Sequence, residues 1–167
     1  MKRRRFLELA LVMGTGAALD RAGAAQSEAP RIAFTFDDFN VFDVPTLSGA
    51  ARNRAMLDAL QAHGLKAAVF VIGRNVEKSE TMRLLESWNE AGHIVGNHTY
   101  SHRRYSRTPF SECAEDVLRC DAVLRRLPQF RKLLRFPFLD EGATAEQRDR
   151  MRAFLVERGY RNAHVTV

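Results

Sequence analysis

The stretch KAAVFVIGRNVEKSETMRLLESWNEAGHIVGNH, residues 66–98, decides the fold. Its opening KAAVFVIG is short and almost continuously apolar, the pattern of a strand buried on both faces of a parallel sheet. A helix is then predicted, opened by Ser79 and closed by Gly92. The HIVGN that follows is a second short strand, and it delivers the chain to His98. Strand, helix and strand in this order argue for an α/β fold with a parallel sheet or barrel.

The same rhythm extends in both directions. Upstream, RIAFTF (31–36) alternates, with Ile32, Phe34 and Phe36 on one side of a strand. SGAARNRAMLDALQAHG (48–64) reads as a helix stopped by Gly64. Downstream, Thr108 and Pro109 begin a long helix in which Phe110, Cys113, Val117, Cys120, Leu124 and Leu127 recur at helical spacing. KLLRFPF (132–138) is a further strand, and Thr144-Ala145-Glu146-Gln147 fits a capping box that starts another helix. Gly159 ends that helix, and YRNAHVTV (160–167) begins one more strand. There is no internal repeat and no low-complexity tract.

At 167 residues the chain suits one domain with a real hydrophobic core. The first 25 residues stand outside it. Lys2, Arg3, Arg4 and Arg5 precede a modest apolar run from Leu9 to Leu19, and small residues follow at Ala22 to Ala25. Basic, apolar, small is the order of an export signal, and Arg3-Arg4-Arg5-Phe6-Leu7 is similar to the twin-arginine pattern. Residues 26–30 make a short linker. The expectation is an exported protein, periplasmic or secreted.

Removing residues 1–25 takes away five basic and two acidic side chains, so the formal charge falls from +6 to +3. A nucleic-acid partner thereby loses its main support. The remaining mildly basic surface favours anionic cell-wall polymers. No apolar run approaches the ~20 residues that span a bilayer. Cys113 and Cys120, about 10 Å apart on one helix, lie beyond disulfide reach and read as buried thiols. The sequence leaves the oligomeric state open.

In parallel α/β folds functional residues gather beyond the C-terminal ends of strands. Asp37-Asp38 follow the first strand, His98 and His102 the third, and Arg135 with Pro137 the fourth. One Asp and two neutral His side chains are a common three-ligand set for a divalent metal, with positions left for water or substrate. The second Asp, beside the metal but not bound to it, could take a proton from water. A guanidinium beside that carboxylate would hold it ionised and aimed. Taken singly, each feature has a plainer reading: paired Asp residues cap turns, and an Arg beside a Pro is usually solvated or ion-paired. His63, His93 and His164 lack partners at ligand spacing and read as structural, and Trp88 reads as core.

Thr35-Phe36-Asp37-Asp38, His98-Thr99-Tyr100-Ser101-His102 and Arg135-Phe136-Pro137-Phe138 together resemble the first three motifs of the polysaccharide deacetylases, the NodB-homology group or carbohydrate esterase family four. The likeness runs from about Arg31 onward. It implies a distorted (β/α) barrel and metal-dependent hydrolysis of N-acetyl groups on N-acetylglucosamine-containing cell-wall or chitin-like polysaccharide, releasing acetate. It assigns Asp37 as general base, Asp38, His98 and His102 as metal ligands, and Thr99 as a brace. Arg135 orients the base, and the Phe138 backbone N–H helps hold the oxyanion. Zinc is the default metal for this donor set.

The family's Asp-x-x-Asp-Trp and Leu-x-His motifs, the second of which supplies the general acid, are not found in this sequence. The expectation is therefore the N-terminal portion of a deacetylase domain over residues 31–167, without its C-terminal strands and helices, binding metal weakly with little turnover of its own. Two alternatives stay open: a non-catalytic metal- or carbohydrate-binding relative, and an amidase acting on a small non-sugar amide.

Overall fold

A computed structural model describes residues 32–165. The export-signal and linker readings lie outside these residues. Within them, strands and helices alternate: β1 (Phe34–Phe36), α1 (Gly49–Ala62), β2 (Ala67–Val71), α2 (Ser79–Glu90), β3 (Ile94–Asn97), α3 (Phe110–Leu124), β4 (Phe130–Leu134), α4 (Ala145–Glu157) and β5 (Arg161–Asn162). All neighbouring strands are parallel, and they lie in the order β1-β2-β3-β4-β5. A doubly wound sheet reverses its strand order partway across, whereas a (β/α) barrel never does. The unbroken order is that of a barrel, and among the described residues β1 and β5 do not pair, so it is an open segment of one. The α/β barrel-type expectation is met.

The predicted strand β2 is the centre of the core. Ala67, Val69 and Val71 pack toward the helices, and Phe70 is equally buried on the opposite face. On the helix side they meet Leu60, Met82, Leu85, Trp88 and Leu124. A second cluster joins Leu134 of β4 to Val117 of α3 and to Met151 and Leu155 of α4. Phe36 and Phe39 both set ring edges against Trp88, which is fully buried as core. Cys113 and Cys120 are buried free thiols.

Several boundaries differ from the sequence reading. β1 is only three residues long, and Ile32 lies before it at 83% exposure, because this edge strand pairs on one side alone. β4 starts earlier, at Phe130, and stops at Leu134. Pro137, which lacks a donor and restricts the residue before it, turns Pro137–Leu139 into a short 3-10 turn instead. Ser79 is the first helical residue of α2 and Lys78 holds the cap position. In the capping box Thr144 accepts from the Gln147 N–H at 3.2 Å, but the Gln147 side chain reaches one residue further, to the Ala143 N–H at 2.7 Å.

Candidate metal centre

The backbone is most unusual where the site residues sit. Six non-glycine residues have positive φ among those described: Asp38, Phe39, Thr99, His102, Phe138 and Leu139. All six belong to the loops that leave β1, β3 and β4. Left-handed backbone costs a side-chain-bearing residue about 1–2 kcal/mol, so it persists only where neighbours over-determine it. Here they do. The Thr99 N–H donates to Asn97 Oδ1 at 2.8 Å, and Thr99 Oγ1 accepts from the His102 N–H at 3.0 Å. Ser101 gives both its N–H and its hydroxyl to Asp116 of α3, at 2.9 and 2.8 Å. Asn75 donates to the Asp38 carbonyl at 3.1 Å and so ties the β1 loop to the loop after β2.

These constraints bring three separated residues to one point. Asp38 Oδ1 lies 3.3 Å from His98 Nε2 and 3.2 Å from His102 Nε2. One ligand atom from each residue lies within 4.8 Å of the others. Donors bound tetrahedrally at about 2.0–2.1 Å stand roughly 3.3 Å apart, so the set has the spacing a small divalent cation requires. The tautomer agrees. His98 Nδ1 is 2.8 Å from the Arg135 carbonyl, which can only accept, so Nδ1 carries the proton and Nε2 offers its lone pair. Burial, and then the charge of His98, lowers the His102 pKa from its ordinary 6.5, which favours the neutral imidazole that a ligand must be.

Arg135, nearly buried beyond the end of β4, faces Asp37. Its Nη1 donates to Asp37 Oδ1 at 3.1 Å, and its Nε donates to the Ala163 carbonyl at 2.6 Å. The guanidinium lies over the Phe70 ring at 4.4 Å. A planar cation clamped on both edges and one face aims a carboxylate in a way that a Lys could not. Phe138 stands over half exposed in the 3-10 turn, its ring 4.6 Å from that of His102 and 4.0 Å beneath the Arg104 guanidinium.

All six predicted site residues thus gather at one end of the sheet. Sequence reasoning missed their supports. Asn97, fully buried, reads in the sequence only as the last residue of a strand, although a polar residue directly before a candidate ligand His is itself a signal. Asp116 was hidden in an apolar-striped helix. The Ala163 carbonyl gives no signal at all, since every residue has one. Of the remaining histidines, His93 is buried and accepts the Ala67 N–H on Nδ1 at 3.2 Å, while His164 is exposed at 3.4 Å from Glu141.

Residues 24–161 match the family model described as polysaccharide deacetylase. A peptidoglycan-N-acetylglucosamine deacetylase of Bacillus cereus is 32% identical over 108 residues, covering 64% of this chain and 36% of that protein. The peptidoglycan-N-acetylglucosamine deacetylase PgdA of Listeria monocytogenes is 30% identical over 109 residues, covering 65% and 21%. Among solved structures, the Bc1960 peptidoglycan N-acetylglucosamine deacetylase, bound to a naphthyl N-oxidanyl-benzamide, superposes with a TM-score of 0.61 at 27% identity. That match covers 78% of this chain and 54% of the other. The chain spans about a third of the first curated relative and about half of the solved one.

Proposed function

This chain belongs to the polysaccharide deacetylase family, and on that premise we propose that it serves metal-dependent removal of N-acetyl groups from an N-acetylglucosamine-containing cell-wall polysaccharide. The observation that carries this reading is the Asp38–His98–His102 triangle with the Arg135-held Asp37 beside it. Asp38, His98 and His102 would hold the cation, zinc by the chemistry of two imidazoles and a carboxylate. Such a cation supplies Lewis acidity to a carbonyl oxygen and acidity to water.

The other roles fall to the chain's own groups. Asp37, outside the ligand triangle and locked by Arg135, accepts the proton of the attacking water. Arg135 keeps that carboxylate aimed through the transfer. The Phe138 N–H, on a turn at the rim, donates to the oxyanion as the carbonyl becomes tetrahedral. Export to the cell envelope, carried by residues 1–25, belongs to the same proposal. Among the described residues no helix is long and apolar enough to cross a membrane.

Metal content and acetate release, measured separately, test the division of labour. Asp38→Ala and His98→Ala should lose bound zinc by elemental analysis. Asp37→Asn should keep its zinc and lower acetate release from an N-acetylglucosamine oligomer by about 10²-fold or more. Full metal retention in both ligand variants would sink the assignment.

A further inference from the structure

We propose that Asp140 is a positioning residue for the oxyanion donor, holding the turn that presents the Phe138 N–H by clamping it to Ser106 of the loop after β3. This rests on the deacetylase reading and adds a residue to its machinery. The first observation is that the donor sits on costly backbone. Phe138 and Leu139 are consecutive left-handed residues, with φ of 60° and 55°. Each costs about 1–2 kcal/mol, so bonds from outside the pair must hold them. The Phe138 N–H itself makes no hydrogen bond among the described residues, and the residue is over half exposed. An unspent donor at the rim of a site stabilises a developing charge only where its direction is fixed.

The second observation is what fixes it. Two short bonds close the turn, from the Leu139 N–H to the Phe136 carbonyl at 3.0 Å and from the Asp140 N–H to the Pro137 carbonyl at 3.1 Å. The Asp140 carboxylate then fastens the turn to its surroundings. Its Oδ2 accepts the Ser106 hydroxyl at 2.6 Å and the Ser106 N–H at 3.2 Å, and its Oδ1 accepts the Gly142 N–H at 3.0 Å. Ser106 belongs to a 3-10 turn, Tyr105–Arg107, that is itself anchored. Tyr105 is buried, and its hydroxyl donates to the Gln147 carbonyl of α4 at 2.8 Å. Gly142, at φ +116°, passes so close that an added Cβ would lie 2.8 Å from the Gln147 Cβ and 3.2 Å from the Tyr105 ring.

Neither Asp140 nor Ser106 belongs to the ligand triangle. The histidine loop has its own braces in Asn97, Thr99 and Asp116, and Asp38 has Asn75. The Phe138 ring packs against His102 and Arg104, which locates the side chain but leaves the direction of the backbone N–H unset. A carboxylate that takes three donors from two loops sets it, and hydrogen bonds to an ionised acceptor are the stronger kind. Losing that clamp misaims the donor without emptying the metal site. The transition state is then held less well, while binding of the substrate is little changed.

Proton–nitrogen NMR on the full, zinc-loaded chain tests this without turnover, with acetate, the reaction's product, as the probe. Acetate should move the Phe138 amide proton downfield in the native protein. Asp140→Ala should keep its zinc and lose most of that shift. Ser106→Ala should lose part of it, and Ser106→Thr, which keeps the hydroxyl, should retain it. With an N-acetylglucosamine oligomer, Asp140→Ala should lower kcat by about tenfold to a hundredfold and leave KM within about twofold. Should Asp140→Ala fail to fold, the Ser106 pair decides in the same way. A Phe138 response unchanged in Asp140→Ala, or a kcat that stays native or falls only as zinc is lost, overturns the proposal and leaves the deacetylase reading standing. No Phe138 response in the native protein also overturns it, and if no acetate is released either, the deacetylase reading falls with it.

Discussion

Asn97 ends β3 with every polar atom of its side chain engaged: Oδ1 accepts the Thr99 N–H, and Nδ2 donates to the Val117 carbonyl at 2.9 Å and to the Tyr160 hydroxyl at 3.0 Å. Tyr160 in turn donates to Asp121 at 2.7 Å, and burial pushes its own pKa far above the usual phenol value. This chain of bonds links α3 and the segment entering β5 to the residue just before His98. Truncating Asn97 leaves the Thr99 N–H buried without a partner, a penalty of about 1–3 kcal/mol, and removes the second bond to the Val117 carbonyl, which keeps its helical partner in α3. Asn97→Ala should therefore lower stability by about 2 kcal/mol or more in a urea titration. It should also weaken zinc binding, since Thr99 would lose the bond that holds its left-handed backbone. The candidate ligand residues announce themselves in the sequence by type and spacing. Asn97 did not, because its function is to satisfy backbone groups that only the folded chain brings near it.

At the level of elements, the loop from β1 to α1 shows how a helix positions a site that it does not enter. A Cβ built on Gly49, in the first turn of α1, would lie 1.9 Å from the Val41 carbonyl oxygen. The Gly49 N–H donates to Asp43 Oδ1 at 2.8 Å, and Arg52 donates to the Asn40 and Phe42 carbonyls at 3.0 and 2.9 Å. The helix start is thus docked under the loop that carries Asp37 and Asp38. Gly49→Ala forces backbone apart and should cost about 2 kcal/mol in denaturant unfolding, with a loss of metal affinity alongside. The sequence reads this glycine only as one small residue near a helix start. At the opposite end of the strands, His93 joins the α2–β3 turn to β2 through the Ala67 N–H, a bond only the neutral ring can accept. Burial, then the charge of Lys66, lowers its pKa from 6.5. Below that value the unfolded chain takes up a proton that the folded one resists. The His93 contribution is therefore present above pH 6.5 and lost as the pH falls beneath it. Urea midpoints at about pH 7.5 and pH 5.5 should differ more in the native protein than in His93→Gln.

For the molecule as a whole, the two packed clusters between sheet and helices predict its chemistry toward reagents. Burial raises the Cys113 thiol to about 11 and pushes the fully buried Cys120 thiol higher still. Both should resist iodoacetamide at about pH 8 in the folded state and react readily in urea, read by intact mass. Rapid labelling of either in native protein would show that α3 does not pack on the sheet as described. The barrel-type order was legible because β2 is apolar on both faces and α2 is bounded by Ser79 and Gly92, features that sit within a few residues of one another. Which side of the site each cation takes was not legible. Arg103, Arg104 and Arg135 are alike in composition, yet one is ion-paired at the surface, one lies on Phe138 and one is buried against Asp37.

By itself the sequence determined the alternation of strand and helix and singled out Asp37, Asp38, His98 and His102 as candidate site residues, because periodicity and residue type act locally. Only the tertiary structure decided what holds them: the left-handed loops, the Asn97 and Ala163 contacts, and the packing of Phe138 against His102 and Arg104. These are meetings between backbone and side-chain atoms up to about a hundred residues apart. Such meetings depend on where the whole chain goes, and no single stretch of it encodes them.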